Sequence, residues 1–201
     1  MNGAGNSPYL HCLRKRCFDI AVCLLLLPPA VVLMALTALV VWAVDGRPIL
    51  LVQDRAGLGG RAFRMPKFRT LRSWARQDEF TPEHRHAANL TRTGGFLRRT
   101  RLDELPQILL VLAGRMSLVG PRPELTGIAS RYTHRHARRL AARPGLTGLW
   151  QVKGSRERPI HQQMKYDLYY LRKACLCLDI RIVMMTVKHV LTLGRRPGER
   201  G

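Results

Sequence analysis

Two adjacent carboxylates, Asp103 and Glu104, are set among Arg92, Arg98, Arg99 and Arg101, shortly ahead of the apolar run Ile108-Leu-Leu-Val-Leu112. The run reads as a helix, so the pair would stand at its N-terminal end. There the helix dipole favours negative charge, and the arginines would hold both acids ionised. A carboxylate kept ionised beside phosphate-binding arginines can attack phosphorus or hold a divalent cation. An Asp-Glu pair on its own is read more simply as a helix cap with surface ion pairs. Its surroundings move the balance toward chemistry.

Two stiff segments follow. Gly114-Arg-Met-Ser-Leu-Val-Gly-Pro-Arg-Pro-Glu124 holds Arg122 between two prolines, and Arg143-Pro-Gly-Leu-Thr-Gly-Leu-Trp-Gln-Val-Lys-Gly154 supplies a second proline- and glycine-bearing loop. Fixed loops that present arginine, backbone N–H groups and small residues suit an anionic group such as a diphosphate. Neither segment is specific alone.

The elements that must position these residues begin with Ile20–Val44, which contains no charged side chain. Its length exceeds the ~18 residues that mark a membrane helix, and at ~1.5 Å per residue it could reach ~37 Å. A cleaved signal peptide has a shorter apolar region followed by a small-residue cleavage site, which this run does not match. Pro28 and Pro29 are expected to kink or break the helix near its middle, because each lacks an N–H and its ring clashes with the preceding turn. The two arms, about Arg14–Leu27 and Ala30–Val44, would each be ~21–23 Å long against a ~30 Å hydrocarbon core. Basic residues flank both ends: Arg14, Lys15 and Arg16 before, and Arg47, Arg55, Arg61, Arg64 and Lys67 after. Basic flanks prefer the cytoplasmic side, so the segment would enter one leaflet and return. An ordinary kinked spanning helix fits the sequence equally well.

Beyond it, Ile49–Val52 reads as a strand, Gln53–Gly60 as a glycine-rich turn, and Arg61–Thr70 as the returning strand of a hairpin that carries Lys67. Residues 73–92 are polar and weakly periodic, a loop or short helix over the site. From Leu176 to Leu191 apolar positions alternate with Arg181, Lys188 and His189, the pattern of an amphipathic element in a membrane interface; a core helix is the alternative.

The chain has 201 residues with 34 Lys+Arg against 13 Asp+Glu, a net +21. Residues 1–45 hold three basic and two acidic side chains, a net +1, so +20 lies on the rest. Such an excess attracts nucleic acid, or else anionic lipid and phosphorylated substrates. With 46% hydrophobic residues the chain is not a disordered polybasic tail. Five cysteines without a Cys-x-x-Cys pair give neither a disulfide framework nor a zinc site, in keeping with a reducing, cytoplasm-facing location. No Walker-type phosphate loop or dinucleotide fingerprint occurs.

Taken in order, these pieces resemble the bacterial sugar transferases that are small monotopic polyprenyl-phosphate phosphoglycosyl transferases. The matching residues are Arg14-Lys-Arg-Cys-Phe-Asp19, the apolar segment, Lys67-Phe-Arg-Thr70, Leu102-Asp-Glu-Leu-Pro-Gln107, Ser117-Leu-Val-Gly-Pro-Arg-Pro-Glu124, Pro144-Gly-Leu-Thr-Gly148, Gln151-Val-Lys-Gly154 and Asp167-Leu-Tyr-Tyr170. The resemblance implies transfer of a sugar 1-phosphate from a nucleotide diphosphosugar, with UDP as the expected nucleotide, to polyprenyl (undecaprenyl) phosphate, releasing UMP. It also implies Mg²⁺ as cofactor and a covalent aspartyl-phosphosugar intermediate. Carried over, Asp103 is the nucleophile, Glu104 a metal ligand or proton acceptor beside it, Lys67, Arg98 and Arg122 phosphate-binding groups, and Arg143 a further companion. The family's membrane helix often breaks at a Ser-Pro pair, and Pro28-Pro29 stand there in this chain. The larger relatives' multi-span N-terminal region has no counterpart, so the chain resembles the small form.

The expected fold is α+β and predominantly helical. A re-entrant membrane helix, a small β-hairpin and amphipathic interfacial helices would surround a cytoplasmic active site. The expected units are an N-terminal tail (1–13), a membrane helix broken at Pro28-Pro29 (14–45), a catalytic domain on the cytoplasmic face of the bacterial inner membrane (46–194) and a flexible tail (195–201). Anionic membrane lipids are expected partners and nucleic acid is not; homo-oligomerisation stays open. The competing functions, a membrane-tethered basic nucleic-acid-binding protein or a noncatalytic scaffold, lack interleaved aromatics in one case and meet an intact Asp103-Glu104 pair in the other.

Overall fold

In the computed structural model, residues 6–72, 89–154 and 163–192 are described. Most of the expected 73–92 loop and the tail from 195 lie outside them. A 3-10 turn, Pro8–His11, leads into helix α1, Leu13–Asp45, which is long and apolar enough to cross a membrane. The hairpin follows as strands β1 (Leu50–Ala56) and β2 (Ala62–Phe68), antiparallel with Lys67 opposite Leu51 and Arg55 opposite Phe63. Helix α2 (Gly94–Thr100) precedes a 3-10 segment, Leu102–Gln107, that runs into α3 (Ile108–Leu112). Strands β3 (Ser117–Val119) and β4 (Glu124–Leu125) come next, then the short helices α4 (Thr126–Ala129) and α5 (His134–Ala137). Strand β5 (Gly145–Thr147) and helices α6 (Leu149–Lys153), α7 (Lys165–Lys173) and α8 (Leu176–Leu191) complete the order. The sheets are β2-β1-β4, antiparallel, and a parallel β3-β5 pair.

The mainly helical α+β class, the hairpin and the C-terminal helix follow the sequence expectation. The break at Pro28-Pro29 does not: α1 runs through both prolines as one helix. Two prolines remove two amide donors, but the ladder on either side persists and a long helix tolerates the loss. Both prolines lie on the exposed side. The opposite side carries a buried stripe, Lys15, Asp19, Cys23, Ala30, Thr37 and Val41, that runs the length of the helix. Cys23 and Ala30 join the main core with Phe63, Met65, Ile108 and Val111, and Val41 packs with Phe68 and Leu97 in a second cluster. The apolar helix is therefore part of the folded domain along one face and bare along the other, where Leu24, Leu25, Val32, Leu36 and Leu39 are exposed.

Both ends of α1 are fastened to that domain. At the start, Lys15 Nζ bridges two buried carboxylates, Asp19 Oδ1 at 2.8 Å and Asp179 Oδ2 at 2.9 Å. Ser117 Oγ donates to Asp19 Oδ2 (2.7 Å), and the Tyr9 and Tyr170 hydroxyls donate to Asp179 (3.1 and 2.8 Å). One buried ionic knot thus ties the N-terminal turn, α1, β3, α7 and α8. At the other end, Arg69 donates to the carbonyls of Asp45, Gly46 and Arg47, and Asp45 accepts from the backbone of Arg92 and Thr93 and from the Thr93 hydroxyl.

The β3–β5 layer depends on close backbone approach. A Cβ on Gly148 would stand 2.0 Å from Gly120 O, and one on Gly145 2.1 Å from Gly120 N. Gly148→Ala must push the strands apart, a loss of ~1–3 kcal/mol, read as a lower melting temperature of the purified chain.

Candidate active site

The site is assembled around the 3-10 segment. Pro106 has no N–H to donate, and in an α-helix its ring would crowd the carbonyl of Leu102; the backbone takes a 3-10 turn there. Arg101, the residue before the segment, has φ 62°, ψ 13°. A non-glycine residue in the left-handed region costs roughly 1–2 kcal/mol, and here it separates α2 from the 3-10 turn and turns the Arg101 guanidinium onto Glu104. Glu104 is pinned from both sides, by Arg101 Nη1 at Oε2 and Arg122 Nη1 at Oε1, each at 3.2 Å. Arg122 in turn lies over the Trp150 ring, 5.7 Å from its centroid. Its carbonyl accepts from Arg139 (2.6 Å), which itself is buried and paired with Asp167 at 2.7 Å. The Asp167-Leu-Tyr-Tyr170 motif therefore acts structurally: Asp167 holds the arginine that fixes the Pro-Arg-Pro turn, and Tyr170 belongs to the ionic knot.

Asp103 is different. It is buried, and among the described residues it forms no hydrogen bond or ion pair. Burial, and then the neighbouring Glu104 charge, push its carboxyl up to about 7, whereas Arg101 and Arg122 hold Glu104 down at about 2 against its own burial. The expectation that the arginines keep both acids ionised holds for Glu104 and fails for Asp103, because the guanidinium groups are committed to its neighbour.

Lys67 reaches the pair from β2. Burial, then the charges of Arg55 and Arg98, lower its ammonium to about 8, and Asp103 opposes that fall. Arg98 is set from α2 by a bond from Nε to Thr70 Oγ1 (3.0 Å); α2 itself lies so close to the Lys67–Thr70 strand end that a Cβ on Gly94 would stand 2.3 Å from Thr70 O. Lys67, Arg98 and Arg122 are thus gathered on Asp103 and Glu104. Arg143 is not. Its Nε donates to Gly114 O (3.1 Å), beyond the C-terminal end of α3, while Asp103 lies before its start. Its position in the sequence, in a loop resembling the Pro-Arg-Pro turn, gave no sign of which end of α3 it would reach.

Sequence reasoning gave Trp150 no role, placed Arg55 only among the basic flanks of the apolar segment, and named Arg101 beside the acids without singling it out as a clamp on Glu104. The Arg101–Glu104 spacing of three residues was the available signal for one of them. Close to Arg122, the Trp150 Nε1 and both amide atoms of Gln151 are buried without a partner among the described residues, as is Gln107 Nε2 one turn beyond Asp103. These are donors and an acceptor left for a polar ligand or solvent.

A carboxylate pair with one member free and one clamped, ringed by four cationic side chains and packed under a long apolar helix, is the equipment of an enzyme that transfers groups between phosphorylated substrates. A family model described as Bacterial sugar transferase matches residues 10–193. The chain belongs to the bacterial sugar transferase family, and it is a phosphoglycosyl transferase. It is 39% identical over 188 residues to a UDP-glucose:undecaprenyl-phosphate glucose-1-phosphate transferase of Caulobacter vibrioides, covering 90% of this chain and 70% of that one. It is 36% identical over 178 residues to the uncharacterized sugar transferase EpsL of Bacillus subtilis, 88% and 87% of the two chains. With the Xanthomonas campestris UDP-glucose:undecaprenyl-phosphate glucose-1-phosphate transferase it shares 43% identity over 155 residues, 72% of this chain and 32% of the relative.

Proposed function

We propose that this protein transfers a sugar 1-phosphate from a UDP-sugar to undecaprenyl phosphate at the cytoplasmic face of the bacterial inner membrane, as the first membrane step of polysaccharide or glycoconjugate synthesis. The observation that carries the mechanism is the unequal treatment of the two acids: Glu104 is clamped by Arg101 and Arg122, while Asp103 is buried and free. A free carboxylate can form a bond; a clamped one is held in place to position what binds beside it.

In the first half-reaction an Asp103 carboxylate oxygen bonds to the phosphorus that bears the sugar. The bridging P–O bond breaks and its electron pair leaves on UMP. In the second, the phosphate oxygen of undecaprenyl phosphate attacks the same phosphorus, the acyl-phosphate bond breaks, and Asp103 is regenerated. Lys67, Arg98 and Arg122 offset the charge that gathers on the phosphoryl oxygens. Two adjacent hard carboxylates suit Mg²⁺, which usually binds through one or two carboxylates plus substrate phosphates. Asp103 and Glu104 would hold the ion, and it would supply charge neutralisation for the diphosphate.

The membrane reading rests on α1 and α8. A span carries its two ends to opposite faces of a ~30 Å core, yet Arg16 donates to Val111 O and Leu112 O while Asp45 binds the backbone of Arg92, and all of these belong to one domain. This supports both ends of α1 lying on one side of the membrane. In α8, Leu176, Ile180, Met184, Val187 and Leu191 form one exposed apolar stripe, the face that an interfacial helix turns to lipid. Cysteines introduced as His11→Cys and Arg61→Cys in a chain otherwise lacking cysteine are expected to label from the same side of sealed vesicles; labelling from opposite sides rejects re-entry.

The reaction is tested by incubating membrane fractions with Mg²⁺, undecaprenyl phosphate and a panel of UDP-sugars and measuring UMP release. UDP-glucose is the first donor to try, given the relatives' names. No release with any donor overturns the proposal. The same assay reads Lys67. Its charge is present below about pH 8 and lost above it, so the UDP-sugar KM is expected to rise as pH passes 8. Lys67→Arg should move that rise to higher pH.

A further inference from the structure

A cavity of about 320 Å³ opens at the foot of α1, lined among others by Leu10, His11, Lys15, Arg16, Asp19 and Arg143. It is separate from the Asp103 site: the 3-10 segment and α3 lie between, roughly 20 Å of helical rise. The charge of Lys15 is already taken by Asp19 and Asp179. What remains is a pair of guanidinium groups brought onto one turn. Arg16 caps the end of α3 through Val111 O and Leu112 O, and its Nη2 lies 3.6 Å from where a Cβ on Gly114 would stand; Arg143 Nε donates to Gly114 O. Among the described residues neither arginine is paired with a carboxylate, and Arg143 keeps both terminal nitrogens without a protein partner. Two like charges held on one turn at a cavity wall are favourable when an oxyanion joins them, and the planar guanidinium fork is shaped for phosphate oxygens.

We propose that this cavity binds the phosphate of an anionic phospholipid headgroup. Its volume falls at the lower end of the ~300–1,000 Å³ range of small-ligand sites. Its lining includes Leu13, which is 76% exposed, at the start of a helix whose outer face is bare leucine and valine. Basic pockets beside membrane helices on the cytoplasmic side hold anionic headgroups in this way. Free inorganic phosphate carries the same oxyanion but gains nothing from that apolar face. The lipid would lock α1 to the turn after α3, anchoring the domain at a point the catalytic groups do not occupy. The inference rests on the membrane placement of α1 and is independent of the chemistry at Asp103.

The test uses the full-length chain, purified in detergent, stripped of lipid and titrated with phosphatidylglycerol, phosphatidylcholine or inorganic phosphate. Retention is counted by native mass spectrometry and protection by thermal melting. Wild type is expected to retain one phosphatidylglycerol at concentrations where phosphatidylcholine is not retained. Arg143→Gln should weaken that retention about tenfold, the worth of one charge-assisted hydrogen bond; Arg143→Lys, which keeps the charge and loses the fork, should fall between and serves if the glutamine variant does not fold. Equal retention of phosphatidylglycerol by wild type and both variants, equal retention of the two lipids by wild type, or protection by inorganic phosphate as strong as that by phosphatidylglycerol each overturns the proposal. Failure to associate with vesicles of either lipid overturns it together with the membrane placement, whereas loss of UMP release alone leaves it standing.

Discussion

Asp103→Asn is expected to lower turnover by at least ~10³-fold, the order of effect seen when a nucleophile is removed, without lowering the melting temperature. The two halves of this prediction have one cause. Asp103 is buried and makes no hydrogen bond or ion pair among the described residues, so an uncharged side chain of the same shape breaks no contact. Burial of an unpaired carboxylate is itself a cost that asparagine removes. Glu104→Gln should behave oppositely in stability. It leaves Arg101 and Arg122 facing a neutral amide, weakening two contacts of 3.2 Å, and a lower melting temperature is expected together with reduced activity. UMP release and thermal melting of the same preparations check both. A radiolabelled sugar phosphate should stay with denatured wild type when acceptor is withheld, and should not stay with Asp103→Asn. Full turnover in Asp103→Asn, or label retained by that variant, would transfer the nucleophile's role elsewhere.

The second large effect lies far from the reacting groups. Lys15→Met is expected to destabilise the domain by about 3–5 kcal/mol, the range for removing one partner of a buried ion pair. That is a sizeable part of the ~5–15 kcal/mol that holds a domain folded. Lys15 is 4% exposed, and Asp19 and Asp179 are 2% and 0% exposed, so loss of the ammonium strands two carboxylates out of water. Tyr9, Tyr170 and Ser117 would still donate to them, but hydroxyls do not neutralise charge. At roughly 2–4 °C per kcal/mol for a chain of this size, the melting temperature should fall by about 6–20 °C. Lys15→Met with Asp19→Leu and Asp179→Asn should recover much of the loss, because the uncompensated charge leaves with its partner. A Lys15→Met chain that melts within a degree or two of wild type would show that the knot contributes little.

How far the sequence could be read is clearest at individual residues. The apolar run from Ile20 to Val44, the hairpin around Lys67 and the Asp103-Glu104 pair are local patterns, written in neighbouring side chains and in turn formers. Lys67, Arg98 and Arg122 are brought to the acid pair. Arg143 is not, because a loop's composition states that it is stiff and basic and leaves its direction to long-range packing. The same limit hid the third strand, Glu124–Leu125 on β1, and the parallel β3–β5 pair, which join segments 68–70 and 28 residues apart through only a few bonds each. Pro28-Pro29 erred the other way. Their local effect was correctly signed, but a helix buttressed along one side by Cys23, Ala30, Thr37 and Val41 stays one element.

By itself, then, the sequence determined that the chain carries an apolar helix, a basic domain and an acid pair among arginines, because each of these depends on residue type and short spacing. Only the tertiary structure decided which acid is free. Arg122 comes from 18 residues beyond Glu104 to clamp it, Lys67 arrives from the β1–β2 hairpin, and Lys15 meets Asp179 across 164 positions. Charge interactions fall off with distance and depend on burial, so the surroundings of Asp103 and Glu104, adjacent acids in the sequence, become unequal only once the chain has folded around them.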